Sequence, residues 1–289
     1  MIKDRYGNTY YKLALHQHTT LSDGRLTPEE VARQYKAAGY DAMAITDHWC
    51  YYGEGEIEGL RIISGCEYNL GLADTVEGVM HIVGFGMDKD PMLDQSMSQT
   101  EIVEGINRAG GLAVLAHPYW SLNRVDELAK LPGIAATEIY NAVSEAGESQ
   151  RAYSDYFVDL AANAGLYPVI LATDDAHYYE GNDNMRGFVM VRAESLESKA
   201  IVDAIKRGDC YASQGPELYV RRKGEGFIIE TSEVSVICVH SSKSWASKKC
   251  LRGEKLTRFE FMPKDERWIR VEVIDSEGRH AWSNVYPLG

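Results

Sequence analysis

A chain of 289 residues, 45% of them apolar, is long enough for one large globular domain or for a domain with a smaller module. Its formal charge of −13 argues against nucleic acid or an anionic membrane as the main partner, although bound cations can reverse the sign locally. Five scattered cysteines with no CxxC spacing, an N-terminus without an apolar leader and the absence of any membrane-length apolar run together predict a soluble cytoplasmic protein in a reducing compartment.

The first element is a strand over residues 10–15, and it hands over to His16-Gln17-His18. Alternate strand residues share a face, so two imidazoles project together where the strand runs out. That is a chelating geometry, and it is equally the geometry of two hydrogen-bonded histidines. Asp23 follows in a Ser-Asp-Gly turn able to bring an oxygen ligand back over the strand end. Thr27-Pro28-Glu29-Glu30 opens a helix, with Thr27 as cap, Pro28 at the first helical position and Glu30 three residues on from the cap; Gly39 ends it. Residues 41–46 form a buried strand ending at Asp47-His48.

The alternation continues. A strand over 60–64 leads to Glu67, and one over 79–84 carries His81. A helix over 94–108 precedes a strand over 112–116, which closes at His117-Pro118. A short helix over 125–130 is followed by a strand over 136–140 bearing Glu138, with Asn141 at its end. A long helix is expected over 148–164, then a strand over 167–172 ending in Thr173-Asp174-Asp175-Ala176-His177. A strand over 186–191 and a helix over 195–207 complete the series. Strand, helix, strand in repetition predicts a parallel sheet, here about seven strand–helix units wound as a (β/α) barrel. Such barrels carry their active sites where the strands end, and six of the eight histidines fall at such positions together with carboxylates. Core packing does not explain that distribution; a metal site does.

From about residue 212 the helical periodicity disappears. Short alternating runs separated by turn signals predict a small antiparallel β-sandwich module over 213–289, beside a metal-bearing domain over 1–212. His240 and His280 have no ligand spacing around them and read as structural or surface residues. Phosphate-binding glycine loops, dinucleotide fingerprints and nucleophile elbows are absent from the sequence.

His16-Gln17-His18 with Asp23, Asp47-His48, Glu67, His81, His117-Pro118 and Asp175-Ala176-His177 resemble, in type and order, the PHP (polymerase and histidinol phosphatase) metallohydrolases. The resemblance covers residues 10–215. The tail Trp282-Ser283-Asn284-Val285-Tyr286-Pro287 is similar to one branch, the CehA/McbA-type metallohydrolases. The resemblance implies a distorted seven-stranded (β/α) barrel holding two or three divalent metal ions. His16, His18, Glu67 and Asp175 would bind one; Asp23, His48 and His177 a second; Glu67, His81 and His117 a third, with Glu67 bridging. Mixed imidazole and carboxylate shells accept manganese, zinc or iron. The implied activity is metal-dependent phosphoester hydrolysis of a small phosphorylated molecule, with no nucleic-acid or membrane partner. Hydrolysis of non-phosphate esters, carbamates or amides is the alternative, and a metal-containing binding protein is the alternative of another class. Asp175, His177 and Asp47 are the residues expected to take part in the chemistry, Asp47 either donating a proton or orienting an imidazole. Arg186 either grips a phosphate or forms a surface ion pair, and Tyr119 and Trp120 either wall the pocket or pack in the core.

Overall fold

The structure is a computed structural model that describes residues 1–72, 78–244 and 249–288. Two mixed sheets organise it. In the larger, Thr9–Ala14, Ala42–Ala44 and Leu60–Ile63 run parallel to one another, and Phe188–Arg192 pairs antiparallel to Thr9–Ala14 on its other side. The smaller sheet has five strands: Gly65–Gly71, Val79–Phe85, Leu112–Leu115, Ile134–Asn141 and Val169–Thr173. Its last three are parallel, whereas Val79–Phe85 is antiparallel to both of its neighbours.

An all-parallel sheet was the expectation. It fails at Val79–Phe85, which a loop joins to its antiparallel neighbour Gly65–Gly71 with no crossover helix, and at Phe188–Arg192, which enters the larger sheet by a loop from the smaller one. Nor, among the described residues, does a hydrogen-bonded ladder run round a closed barrel. The two sheets meet at one end through single bridges, Gln17 with Ala176 and His48 with Glu67, and through the chain itself, which leaves one sheet at Ile63 and enters the other at Gly65. A Cβ at Gly65 would lie 2.5 Å from the Ile45 carbonyl oxygen, so glycine is what allows this close crossing.

Among the described residues, five α-helices pack on these sheets. Pro28–Ala37 begins with the expected capping box between Thr27 and Glu30 and buries Val31, Ala32 and Tyr35. The helix Gln99–Arg108 starts later than residue 94 because Ser98 and Glu101 form its capping box. In place of one helix over 148–164 there is a π-helical turn, Ser144–Glu148, and then the helix Asp155–Asn163. No helix among the described residues is long and apolar enough to cross a membrane.

The C-terminal strands do not form a detached sandwich. Cys210–Ser213 pairs with Phe188–Arg192 on one edge and with His280–Ser283 on the other. The order then continues through Trp268–Ile274 and Gly226–Ser241 to Leu218–Lys223, with Cys250–Phe261 also laid on Gly226–Ser241, all in one thirteen-stranded sheet. Trp268 and Trp282 are fully buried against Tyr140, Val158 and Ile170. The Asn284 side chain accepts from the Ile170 N–H (2.8 Å) and donates to the Cys210 carbonyl (2.9 Å), so the tail satisfies main-chain groups of Val169–Thr173 and Cys210–Ser213.

Candidate metal centre

All nine residues expected as ligands come together at one end of the two sheets. His16, His18, Glu67 and Asp175 form a fully buried group: the Nε2 atoms of both histidines lie 3.0–3.3 Å from Glu67 Oε2 and Asp175 Oδ1. His18, Asp23, His48 and His177 form a second group towards the rim, and Glu67, His81 and His117 a third. Two residues are shared. Glu67 Oε2 faces His16, His18 and His48, while its Oε1 faces His81 at 2.8 Å and His117 at 3.5 Å. His18 belongs to both the first and the second group.

The donor atoms suit cations better than one another. Glu67 Oε2, Asp175 Oδ1 and His48 Nδ1 are buried without a hydrogen-bond partner, a costly condition unless something positive satisfies them. The Nε2 atoms of His16 and His18 are 3.3 Å apart, aimed at the same carboxylate oxygens. In the protein alone, burial acts against charge on His16 and His18, yet the surrounding carboxylates hold both imidazoles well above their ordinary pKa. Burial likewise acts against charge on Glu67, and the imidazoles hold it well below the usual carboxylate range. Cations entering such a site take the place of those protons.

Supporting residues fix which nitrogen points inward. His16 Nδ1 donates to Glu138 Oε1 (2.7 Å) and His177 Nδ1 to the Asp175 carbonyl (2.7 Å); His117 Nδ1 pairs with the Ser121 hydroxyl (3.0 Å). Each leaves Nε2 for the site. Glu138 also accepts from the His117 N–H and from Asn141 Nδ2, both at 2.8 Å, and Asn141 reaches Asp175 Oδ2 at 3.1 Å. Sequence reasoning placed Glu138 and Asn141 on their strand but missed this role. The available signal was a lone acid inside the run Ile134–Asn141, where burial demands a partner. Glu138→Gln is expected to lower metal affinity about 10- to 100-fold with little loss of stability. Titration of the metal-free variant against wild type checks this, and equal affinities would remove Glu138 from the site's support.

The loops are held as tightly as the strands. Asp47 accepts four hydrogen bonds of 2.6–3.0 Å from the N–H and hydroxyl groups of Thr19 and Ser22. It therefore ties down the turn between His18 and Asp23, and its oxygens are taken; of the three residues expected in the chemistry, Asp175 and His177 line the cleft and Asp47 does not. Asp174 is fully buried and receives the N–H groups of Met185, Arg186 and Gly187 and the Tyr35 hydroxyl. Asp183 caps the next turn through the N–H groups of His177, Tyr178 and Tyr179. His117 and Asp175 both have positive φ (27° and 52°), a strained conformation for non-glycine residues that their surroundings hold in place.

A cleft of about 230 Å³ opens over the three groups, lined by Asp23, His48, His81, His117, Asp175 and His177 and flanked by Trp120, Ser144 and Tyr178. Trp120 stands 5.0 Å from the His117 ring and 5.7 Å from that of His81. Tyr119, although adjacent in sequence, lines a separate apolar groove with Leu122, Tyr156 and Leu160. Arg186 lies outside the cleft lining, about half-exposed, with Glu145 at 4.0 Å. The Tyr179 hydroxyl donates to the His18 carbonyl and so braces the ligand strand rather than the opening.

Comparison with known proteins places the chain in a family. The PHP domain model matches residues 14–185. An uncharacterised protein of Methanocaldococcus jannaschii is 30% identical over 47% of this chain and 85% of its own length. A 5′-3′ exoribonuclease of Haemophilus influenzae and a 3′,5′-nucleoside bisphosphate phosphatase of Chromobacterium violaceum are each 36% identical, over 27% and 26% of this chain. The chain spans less than a third of those two relatives, 30% and 27% of their lengths. Among solved structures, a two-domain Bacteroides vulgatus protein containing a PHP-like metal-dependent phosphoesterase superposes over 99% of this chain and 97% of its own (TM-score 0.59, 15% identity). Endonuclease Q, in complex with a 27-mer duplex bearing an abasic lesion, matches 69% of this chain and 57% of its own (TM-score 0.49, 18% identity). The expectation of no nucleic-acid partner is corrected on this point. It rested on a charge summed over the whole chain, and a metal centre sets the local field where a phosphate would bind. With its family model matching residues 14–185 and its donor groups gathered at one sheet end, this chain belongs to the PHP family of metal-dependent phosphoesterases.

Proposed function

We propose that the protein hydrolyses a phosphomonoester on a small molecule, with the phosphate over the Glu67 cluster and the organic part against Trp120 and Tyr178. The observation that carries this reading is the three-part donor set joined through Glu67 and His18, with unpartnered carboxylate oxygens at its centre. Two or three divalent ions, manganese, zinc or iron, fit that set; when bound they neutralise phosphoryl charge and acidify a water to near-neutral pKa. The chain's own work is orientation. Glu138, Ser121 and the Asp175 carbonyl fix three imidazoles, Asp47 fixes the turn that carries Asp23, and Trp120 walls one side against solvent. His177, part-exposed at the rim with Nε2 3.5 Å from Asp23 Oδ1, would act beside the leaving oxygen by holding the outer ion with Asp23 and His48. A seven-stranded ring closed by the Gln17–Ala176 bridge, the barrel expected from sequence, would account for the convergence of these residues.

A second reading is favoured by one observation. The apolar groove with the half-exposed Tyr119 and the exposed Tyr156 begins beside Pro118, next to a ligand, and tyrosine faces accept stacked bases. The substrate is then the end of a nucleic-acid strand rather than a free nucleotide.

Chelator-stripped protein, reloaded separately with Mn, Zn and Fe, should be assayed on nucleoside mono- and bisphosphates, end-phosphorylated oligonucleotides and carboxyl esters. Two or three metals per chain and turnover of small phosphomonoesters are expected. Faster turnover of oligonucleotide ends selects the second reading. Turnover of carbonyl esters alone, or none with metal bound, overturns both.

A further inference from the structure

A pair of thiols lies far from the metal centre in the chain's C-terminal hairpin. Cys238 is on Gly226–Ser241 and Cys250 on Cys250–Phe261, and the two are directly opposite in the antiparallel register. Val239 N–H donates to the Lys249 carbonyl at 2.8 Å, which makes 239 and 249 the hydrogen-bonded positions and leaves 238 and 250 as a non-hydrogen-bonded pair. In such pairs the side chains sit on one face with Cα atoms about 4.5 Å apart. That is within the range a disulfide spans, roughly 4.4–6.8 Å, but at its short end. Both cysteines are free thiols; Cys250 is exposed and Cys238 half-buried. Burial pushes the Cys238 thiol up to about 12, and the adjoining Cys250 adds to the effect. The remaining cysteines stand apart: Cys66 and Cys210 are buried, and Cys50 is part-exposed near the metal loops.

We propose that Cys238 and Cys250 are a reversible dithiol, closed to an intrachain disulfide by exchange with a small disulfide such as oxidised glutathione. The exposed Cys250 thiolate attacks one glutathione sulfur, forming a mixed disulfide and releasing one glutathione thiolate. Cys238 then gives up its proton and attacks Cys250 Sγ, forming the intrachain bond and expelling the second glutathione thiolate. The dithiol is oxidised by two electrons, the glutathione disulfide is reduced by two, and the two thiol protons pass to the released thiolates. Burial of Cys238 fixes the order of attack, because only Cys250 is open to an incoming disulfide. Cys250 is exposed, so a dithiol reductant reaches the bond and reopens it, and the pair acts as a switch rather than a staple. Closure would lock the register of two strands whose ladder already slips between Glu230 and Val236.

The test uses the full chain, reduced and then incubated with oxidised glutathione, quenched with N-ethylmaleimide and mapped by non-reducing peptide mass spectrometry. Two thiols per chain should be lost, with one cross-linked peptide joining positions 238 and 250, fully reversed by dithiothreitol. Cys238→Ser should instead hold one glutathione on Cys250, and Cys250→Ser should protect Cys238. A wild-type chain that ends with stable glutathione on Cys250, that joins either residue to another cysteine, or that does not react overturns the proposal without reliance on either variant's folding.

Discussion

Glu67→Gln is expected to leave the fold intact and to lower phosphoesterase activity by more than about 100-fold at any metal concentration that saturates the wild type. A residue that only orients a ligand costs about 10- to 100-fold when lost. Glu67 lies closer to the centre: its two oxygens lie within 3.5 Å of five imidazoles and it is a member of two of the three donor groups. Glutamine keeps the volume and one carbonyl oxygen but replaces the other oxygen with an N–H donor facing nitrogen atoms that themselves need an acceptor or a cation. The substitution therefore weakens both groups at once. Metal content measured by elemental analysis should fall by at least one ion per chain, and circular dichroism should be unchanged. Full activity with full metal content would show that the cluster does not depend on Glu67 and would sink the proposed site. An unfolded variant is not expected, because the carboxylate sits among imidazoles and a second carboxylate and not in an apolar core.

The residues that gather at the candidate site were legible in the sequence because they are histidines and carboxylates, most of which fall where strands end. His16, His18, His48, His117, Asp175 and His177 all follow that rule. His81 is informative in a different way. It is the third residue of Val79–Phe85, near the strand's beginning, and because that strand runs antiparallel, with Ile82 opposite Leu115, its early part lies beside the end where His117 stands. A reading built on parallel units passed over that direction. Glu138 was hidden for the opposite reason: within a strand, a buried acid and an outward-facing acid give the same letter pattern. The continuity of the larger sheet was not legible at all. It depends on Tyr211 opposing Ser283 and Ala212 opposing Trp282, pairings about seventy residues apart that no local pattern specifies. Alternation in Trp268–Ile274 does not reveal that Arg270 is 1% exposed, because it is the helix Asp155–Asn163, remote in sequence, that covers that face.

That covered face supports the largest expected stability effect. Arg270→Ala is expected to cost about 3 kcal/mol, the lower end of the 3–5 kcal/mol range for breaking a buried ion pair by removing one partner. Arg270 Nε and Nη2 hold Asp159 at 2.6 and 3.2 Å, and Asp155 and Glu272 lie at 3.5 and 3.9 Å. Burial acts against the guanidinium's charge, but these three acids raise its pKa, so it remains charged. Removing it leaves three acids around a cavity between the helix and the sheet, with burial already pushing the Asp155 carboxyl up. The estimate stays at the lower end because Asp155 and Asp159 are each 29% exposed, and water reaching them relieves part of the loss. Urea unfolding should show a lower midpoint with an unchanged slope. The pairing explanation makes a second demand. Arg270→Met with Asp159→Leu should recover most of the stability, since an apolar pair of similar volume leaves one fewer unpaired charge. A loss below about 1 kcal/mol for Arg270→Ala would place the contact among ordinary exposed ion pairs and would mean that Trp268 and Trp282, rather than this charge cluster, hold the C-terminal strands to the helix.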